Sequence, residues 1–116
     1  MSEPSNLVHL APNTTTEDFN QQVASAPGLV VVDFFATWCP PCKALGAQIP
    51  TLAKENPNIR FIKVDVEENN ALASQYKVSS IPHVAFVKHQ DGAVKLLDTV
   101  VGMNMPKIKG NLTKYA

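Results

Sequence analysis

The two cysteines of this 116-residue chain are the residues whose type and spacing could do chemistry. Cys39 and Cys42 enclose two prolines in the segment WCPPC. Cysteines this close together can undergo thiol–disulfide exchange or can supply half of a zinc site. A closed zinc site needs four ligands, and the sequence contains no second CxxC and no HxxxH. The spacing therefore favours thiol–disulfide chemistry.

A helix that begins at the cysteines would position them for exchange. Leu45, Ile49 and Leu52 recur at helical spacing, which places Cys39 just outside the first turn of a helix running towards residue 56. Only a thiolate attacks a disulfide, and unpaired N–H groups at a helix N-terminus stabilise a negative sulfur. Cys42, one turn later and expected to be more buried, would then attack the mixed disulfide.

The residues beside the cysteines are expected to support this site. Trp38 would wall one side of the site and shield it from water. Pro41 fits the first helical turn, where its missing N–H costs no hydrogen bond. Pro40 lies between the sulfurs, where a fixed φ would stiffen the loop.

Asp33 is a further candidate because its strand is otherwise apolar. The run LVVVDFFA at residues 29–36 is typical of a central strand that is covered on both faces. Burial disfavours a charged carboxylate and would raise its pKa above about 3.9. We expect Asp33 to exchange a proton with Cys42; the alternative is an aspartate at a strand end that reaches solvent. Lys63 could supply a balancing charge, unless it is an ordinary exposed strand lysine.

Strands and helices alternate around these residues, which predicts an α/β fold. Strands are expected at residues 7–10, 29–36, 59–66, 83–88 and 94–101. Helices are expected after a capping box formed by Thr14 and Glu17, from the cysteines to residue 56, at residues 69–76, and near the C-terminus. Asp91 and Gly92 between apolar runs predict a hairpin. Residues 1–116 are therefore expected to form one domain, a mixed five-stranded sheet with four helices on both faces.

Composition and charge disfavour several other classes of protein. Ten basic residues balance ten acidic ones without clustering, so we expect no nucleic-acid partner. No apolar segment approaches the roughly 20 residues that span a bilayer, and the opening MSEPSNLVHL does not match a signal peptide. We therefore expect a cytoplasmic monomer without membrane, metal or cofactor, in a compartment where structural disulfides stay reduced.

Three separated motifs resemble the thioredoxin family. They are VVVDFFATWCPPCK, SSIPHVAF and the HQDG turn, and matching elements cover nearly the whole chain. The resemblance implies a thioredoxin fold in which Cys39 is the attacking thiol, Cys42 the resolving thiol and Asp33 the buried acid–base residue. It also implies a cis peptide bond before Pro82, facing the two cysteines.

The resemblance also implies where a substrate would bind. Ile81 would offer backbone groups to an extended target segment, and Gly102 would leave open backbone beside the site. His83 stands where threonine is common and would lie near Cys39. Its imidazole could stabilise the thiolate, or it could simply face solvent.

The implied activity is that of a protein-disulfide reductase. By resemblance, an NADPH-dependent thioredoxin reductase would supply its electrons, and proteins such as peroxiredoxins would receive them. Pro40 replaces the usual glycine, as in tryparedoxins, nucleoredoxins and some plant thioredoxins, so a tryparedoxin-like or nucleoredoxin-like electron carrier is the alternative. The expected lack of a secretory signal disfavours a disulfide-forming oxidase. The intact Cys39, Cys42 and Asp33 disfavour a non-catalytic binding subunit.

Overall fold

The computed structural model describes residues 3–116, which form five strands and four helices. The strands are β1 (Leu7–His9), β2 (Val30–Phe35), β3 (Arg60–Asp65), β4 (His83–Gln90) and β5 (Ala93–Val101). The helices are α1 (Thr16–Ala24), α2 (Pro40–Glu55), α3 (Asn70–Gln75) and α4 (Met105–Lys114). None of the helices within residues 3–116 is long and apolar enough to cross a membrane. The predicted α/β order of elements is confirmed.

The strands form one mixed sheet in the order β1-β3-β2-β4-β5. Strands β1, β3 and β2 run parallel, whereas β4 is antiparallel to β2 and β5 is antiparallel to β4. The centre of the sheet is β2, which explains why nearly all its side chains are apolar. The β4–β5 turn contains Asp91 and Gly92, both with positive φ, as a tight hairpin requires.

Two apolar layers cover the two faces of the sheet. Helices α2 and α4 pack on the face that carries Val31 and Phe86. Helices α1 and α3 pack on the face that carries Val32 and Phe34. Because side chains alternate along a strand, Asp33 lies on the same face as Val31, beneath α2.

The start of α1 differs from the prediction. The N-cap is Thr15, whose Oγ1 accepts a hydrogen bond from the backbone N–H of Asp18 at 3.1 Å. Thr14 was the expected cap, but its Oγ1 donates to the carbonyl oxygen of Ala11 at 2.7 Å. Its backbone N–H donates to Asn69 Oδ1 at 2.9 Å. The prediction of Thr14 is wrong because these contacts hold it outside the helix.

Candidate dithiol active site

Cys39 and Cys42 form a disulfide at the N-terminus of α2. Cys39 is the N-cap residue, and its Cα atom lies 5.2 Å from that of Cys42. The backbone N–H of Cys42 donates to Cys39 Sγ at 3.3 Å. A helix has unpaired N–H groups in its first turn, so this donor can stabilise negative charge on Cys39 once the disulfide opens.

The two cysteines have different surroundings but are equally exposed as residues. Both cysteines are 3% exposed, so the expected difference in their burial is wrong for the disulfide form. The bond holds the sulfurs together, and Val66 and Ile81 pack against the pair. Cys39 Sγ lies 3.9 Å from the carbonyl oxygen of Ile81, whereas Cys42 lies within the first turn of α2.

The two prolines between the cysteines occupy the start of α2. Pro40 and Pro41 are the first two residues of the helix. The missing N–H of a proline leaves no hydrogen bond unmade at this end of a helix, where such groups have no intrahelical acceptor. The sequence WCPPC is therefore compatible with an undistorted helix start.

A groove of about 330 Å³ lies beside the disulfide, with which it shares the neighbours Val66 and Ile81. Trp38, Val66 and Ile81 supply apolar walls, and Val66 and Ile81 also pack against the cysteines. Among the described residues, Glu67 is the one charged residue in the lining of this groove. Trp38 is 64% exposed, so its ring forms an open wall beside the site.

A cis proline follows the backbone carbonyl that lies next to the disulfide. The Ile81–Pro82 peptide bond is cis, as the resemblance implied. The carbonyl oxygen of Pro82 accepts a hydrogen bond from the N–H of Gly102 at 2.8 Å. Gly102 has a φ of 90°, and a Cβ built on it would meet nothing within 4 Å. The space beside the Cα atom of Gly102 is therefore open, and contact of Gly102 with a substrate stays a prediction.

Asp33 is a buried carboxylate without hydrogen bonds. It is 2% exposed, and neither of its oxygens has a partner among residues 3–116. Burial raises the pKa of Asp33 from 3.8 to about 6, and the positive charge of Lys63 opposes part of this increase. The alternative of a solvent-reaching aspartate is wrong because β2 is covered on both faces.

Lys63 is the partner of Asp33 in the register between β2 and β3. It is half-buried, so the alternative of an ordinary exposed lysine is also wrong. Its Nζ atom lies 4.8 Å from the centroid of the Phe35 ring. Because no described residue donates a hydrogen bond to Asp33, Lys63 acts on the carboxylate through space.

His83 lies on the other face of the sheet from Asp33. It pairs with Phe34, and the two rings meet edge to face with centroids 5.7 Å apart. The side chain is 6% exposed, so the solvent-facing alternative is wrong, and burial lowers the pKa of the imidazole. Within residues 3–116 the ring forms no hydrogen bond with either sulfur. Contact of His83 with a substrate stays a prediction.

Two residues near the site were missed from the sequence. Glu67 follows β3 and lines the groove, but nothing in the run DVEEN distinguishes it from its exposed neighbour Glu68. Gly46 lies within α2. A glycine inside a helical pattern lowers helix stability, so the sequence alone could have marked this position as unusual. Residues 3–116 bring together no group of three or more candidate metal ligands.

A redox-active cysteine pair at a helix N-terminus, facing a cis proline on this mixed sheet, defines a thiol–disulfide oxidoreductase. The thioredoxin family model matches residues 11–114. The chain is 39% identical over 104 residues to thioredoxin H3 of Arabidopsis thaliana, covering 87% of this chain and 85% of that protein. The chain therefore belongs to the thioredoxin family, as the sequence motifs indicated.

Solved structures agree with this assignment. Trichomonas vaginalis thioredoxin is 46% identical with a TM-score of 0.89, covering 97% of this chain and 98% of its own. Fasciola hepatica thioredoxin is 35% identical with a TM-score of 0.81, covering 92% of this chain and 100% of its own. The predicted fold and the predicted protein-disulfide reductase activity are confirmed at this level. Thioredoxins act on disulfide-bearing proteins and are reduced by a thioredoxin reductase.

Proposed function

We propose that this thioredoxin reduces protein disulfides with Cys39 as the attacking thiol and Cys42 as the resolving thiol. The observation that carries the proposal is the position of Cys39 at the N-cap of α2, with the N–H of Cys42 3.3 Å from its sulfur. This donor favours negative charge on Cys39 in the reduced protein. Exposure does not distinguish the two cysteines, so the assignment depends on position.

The exchange has two steps. The Cys39 thiolate attacks one sulfur of a target disulfide, the target S–S bond breaks, and the second target sulfur leaves as a thiolate. Asp33 then takes the proton from Cys42, directly or through water, and the Cys42 thiolate attacks Cys39 Sγ. The mixed disulfide breaks, the target has gained two electrons, and the chain is left with the Cys39–Cys42 disulfide. A carboxylate whose pKa is about 6 is suited to accept this proton near neutral pH.

The target segment binds extended across the cis proline. The Ile81 carbonyl oxygen, 3.9 Å from Cys39 Sγ, offers an acceptor for strand-like pairing, and the open space at Gly102 leaves room for the target segment. Trp38 and the apolar groove beside it receive neighbouring target side chains. In this arrangement the protein contacts mainly the backbone of the target, which suits a reductase with many targets.

An NADPH-dependent thioredoxin reductase supplies the electrons, and peroxiredoxins are among the targets, in the cytoplasm. Pro40 favours one second candidate, a tryparedoxin-like or nucleoredoxin-like carrier that accepts electrons from another donor. Turnover of insulin disulfides with NADPH and either thioredoxin reductase or the tryparedoxin-type donor separates the two. Reduction by the second donor alone would overturn the first assignment.

Trapping tests the roles of the two cysteines. Cys39→Ser should form no mixed disulfide with a disulfide-bearing target and should be inactive. Cys42→Ser should accumulate a mixed disulfide, because the resolving thiol is gone. A non-reducing gel measures both, with the double variant as the control for non-specific adducts. Equal trapping by the two single variants would contradict the assignment.

A further inference from the structure

Gly46 leaves a space in α2 that is occupied by a charged group. Glycine in a helix interior is less favourable than alanine, so a glycine here needs a reason. A Cβ atom built on Gly46 would lie 3.1 Å from Lys63 Nζ, inside ordinary van der Waals contact. No other atom outside its own stretch of helix would lie within 4 Å. The missing side chain therefore lets the ammonium group lie against the helix.

The position of this ammonium group bears on Asp33. Lys63 pairs with Asp33 across β3 and β2, so both side chains point to the face of the sheet under α2. The Phe35 ring lies 4.8 Å from Lys63 Nζ and provides a second surface for the cation. Gly46 and Phe35 together hold the charge of Lys63 close to the α2 face.

We propose that Gly46 is a positioning residue for proton transfer, because its missing side chain keeps the Lys63 ammonium group near Asp33 and so keeps Asp33 ionised during turnover. The inference rests on the proposed role of Asp33 as the proton acceptor. A buried carboxylate without hydrogen bonds depends on nearby positive charge for its ionised form. Lys63 of β3 is the charged group that acts on Asp33, the partner of Asp33 on β4 is the apolar Val84, and the start of α2, which covers this face, carries Cys39 at its N-cap and Cys42 in its first turn.

Gly110 provides a matched control. It also lies inside a helix, α4, but a Cβ built on it would meet nothing within 4 Å. Substitution at either glycine should strengthen its helix through the same backbone effect. Only substitution at Gly46 should displace a charge.

The test measures the rate at which Cys42 resolves a pre-formed mixed disulfide, as a function of pH. Gly46→Leu should move the midpoint of this profile to higher pH, in the same direction as Lys63→Met, and slow the step about twofold at pH 6, as a shift of roughly half a pH unit from a midpoint near 6 would. Gly46→Ala should move it less, because the flexible lysine needs to retreat only slightly. Gly110→Leu should leave the midpoint unchanged.

A double variant decides whether Gly46 acts through Lys63. In a Lys63→Met background, Gly46→Leu should have no further effect on the midpoint. An unmoved midpoint in both Gly46→Leu and Gly46→Ala, or an equal further shift in the double variant, would overturn the inference. The Ala variant keeps the test decisive if the Leu variant does not fold. Failure of the proposed function is recognised separately, because Asp33→Asn would then leave the resolution rate unchanged.

Discussion

Asp33 and Asn69 are both buried polar side chains, but they differ in their hydrogen bonding. They are 2% and 3% exposed. Asn69 Oδ1 accepts the N–H of Thr14 at 2.9 Å, and its Nδ2 donates to the carbonyl oxygen of Ala11 at 3.2 Å. Asp33 has no hydrogen-bond partner among residues 3–116. The oxygen and the nitrogen of the Asn69 amide both form hydrogen bonds within the fold, whereas neither oxygen of Asp33 does.

This difference separates a structural role from a chemical one. Hydrogen bonds offset the cost of burying Asn69, which ties the segment before α1 to the start of α3. Asp33 obtains no such compensation, and an unpaired buried group in a native protein calls for an explanation. Its place beneath α2, whose first turn carries Cys42, supplies one. We therefore expect Asp33 to cost stability and support activity, and Asn69 to support stability without a role in activity.

The largest effect is expected for Asp33→Asn as a function of pH. The folded-state pKa of Asp33 is raised from 3.8 to about 6, so between these values the native state binds more protons than the unfolded state. The stability of the wild type therefore falls as pH rises through this window. Its free energy of unfolding should fall by about 3 kcal/mol relative to Asp33→Asn between pH 3.5 and pH 7.5. Denaturant unfolding at both pH values measures this, and parallel curves would contradict the comparison.

A smaller effect is expected for Asn69→Ala. Removal of the amide leaves the N–H of Thr14 without its partner and takes one of two donors from the carbonyl oxygen of Ala11, which keeps Thr14 Oγ1, so the free energy of unfolding should fall by about 1 to 2 kcal/mol. This loss should be the same at pH 5 and pH 7.5, because no ionisable group is removed. Insulin reduction by the folded variant should match that of the wild type. A loss of activity in the folded variant would break the contrast with Asp33.

The smallest effect is expected for an exposed carboxylate at the same site. Glu67 lines the groove but is solvent-exposed, so Glu67→Gln should change the free energy of unfolding by less than about 0.5 kcal/mol. The rate with disulfide peptides that carry Arg beside the cysteine should fall about twofold at low salt, since screening weakens exposed charges. Glu68→Gln, outside the groove lining, is the control. Equal effects of the two substitutions would show that the groove does not sense the charge.

The site residues that could be predicted are those that stand out against their neighbours in the sequence. Asp33 stands out in a continuous apolar strand, and the cysteines stand out at the start of an amphipathic helix, so both could be placed without coordinates. Thr15 could not be distinguished from Thr14 as the N-cap, because the choice depends on Asn69, 55 residues away in the chain from Thr14. The structural role of Asn69 could not be predicted for the same reason, because its hydrogen-bond partners are distant in sequence.

The other differences between prediction and structure concern the face on which a side chain lies and how deeply it is buried. The face on which His83 lies follows from its pairing with Phe34 across two strands that are far apart in sequence. The equal burial of the two cysteines follows from the disulfide and from Val66 and Ile81, which come from separate parts of the chain. These are long-range packing contacts, which local patterns of hydrophobicity do not encode.

The most direct test of the central claim is a titration of the Asp33 carboxyl group in the disulfide form. Asp33 can be followed by its side-chain ¹³C chemical shift from pH 2 to pH 9, with Asp33→Asn identifying its signal. We expect a midpoint at about pH 6, because burial without hydrogen bonds disfavours the charged form. A midpoint near 3.8, the ordinary value for an aspartate, would show that the carboxylate is solvated or paired and would contradict its role as the proton acceptor.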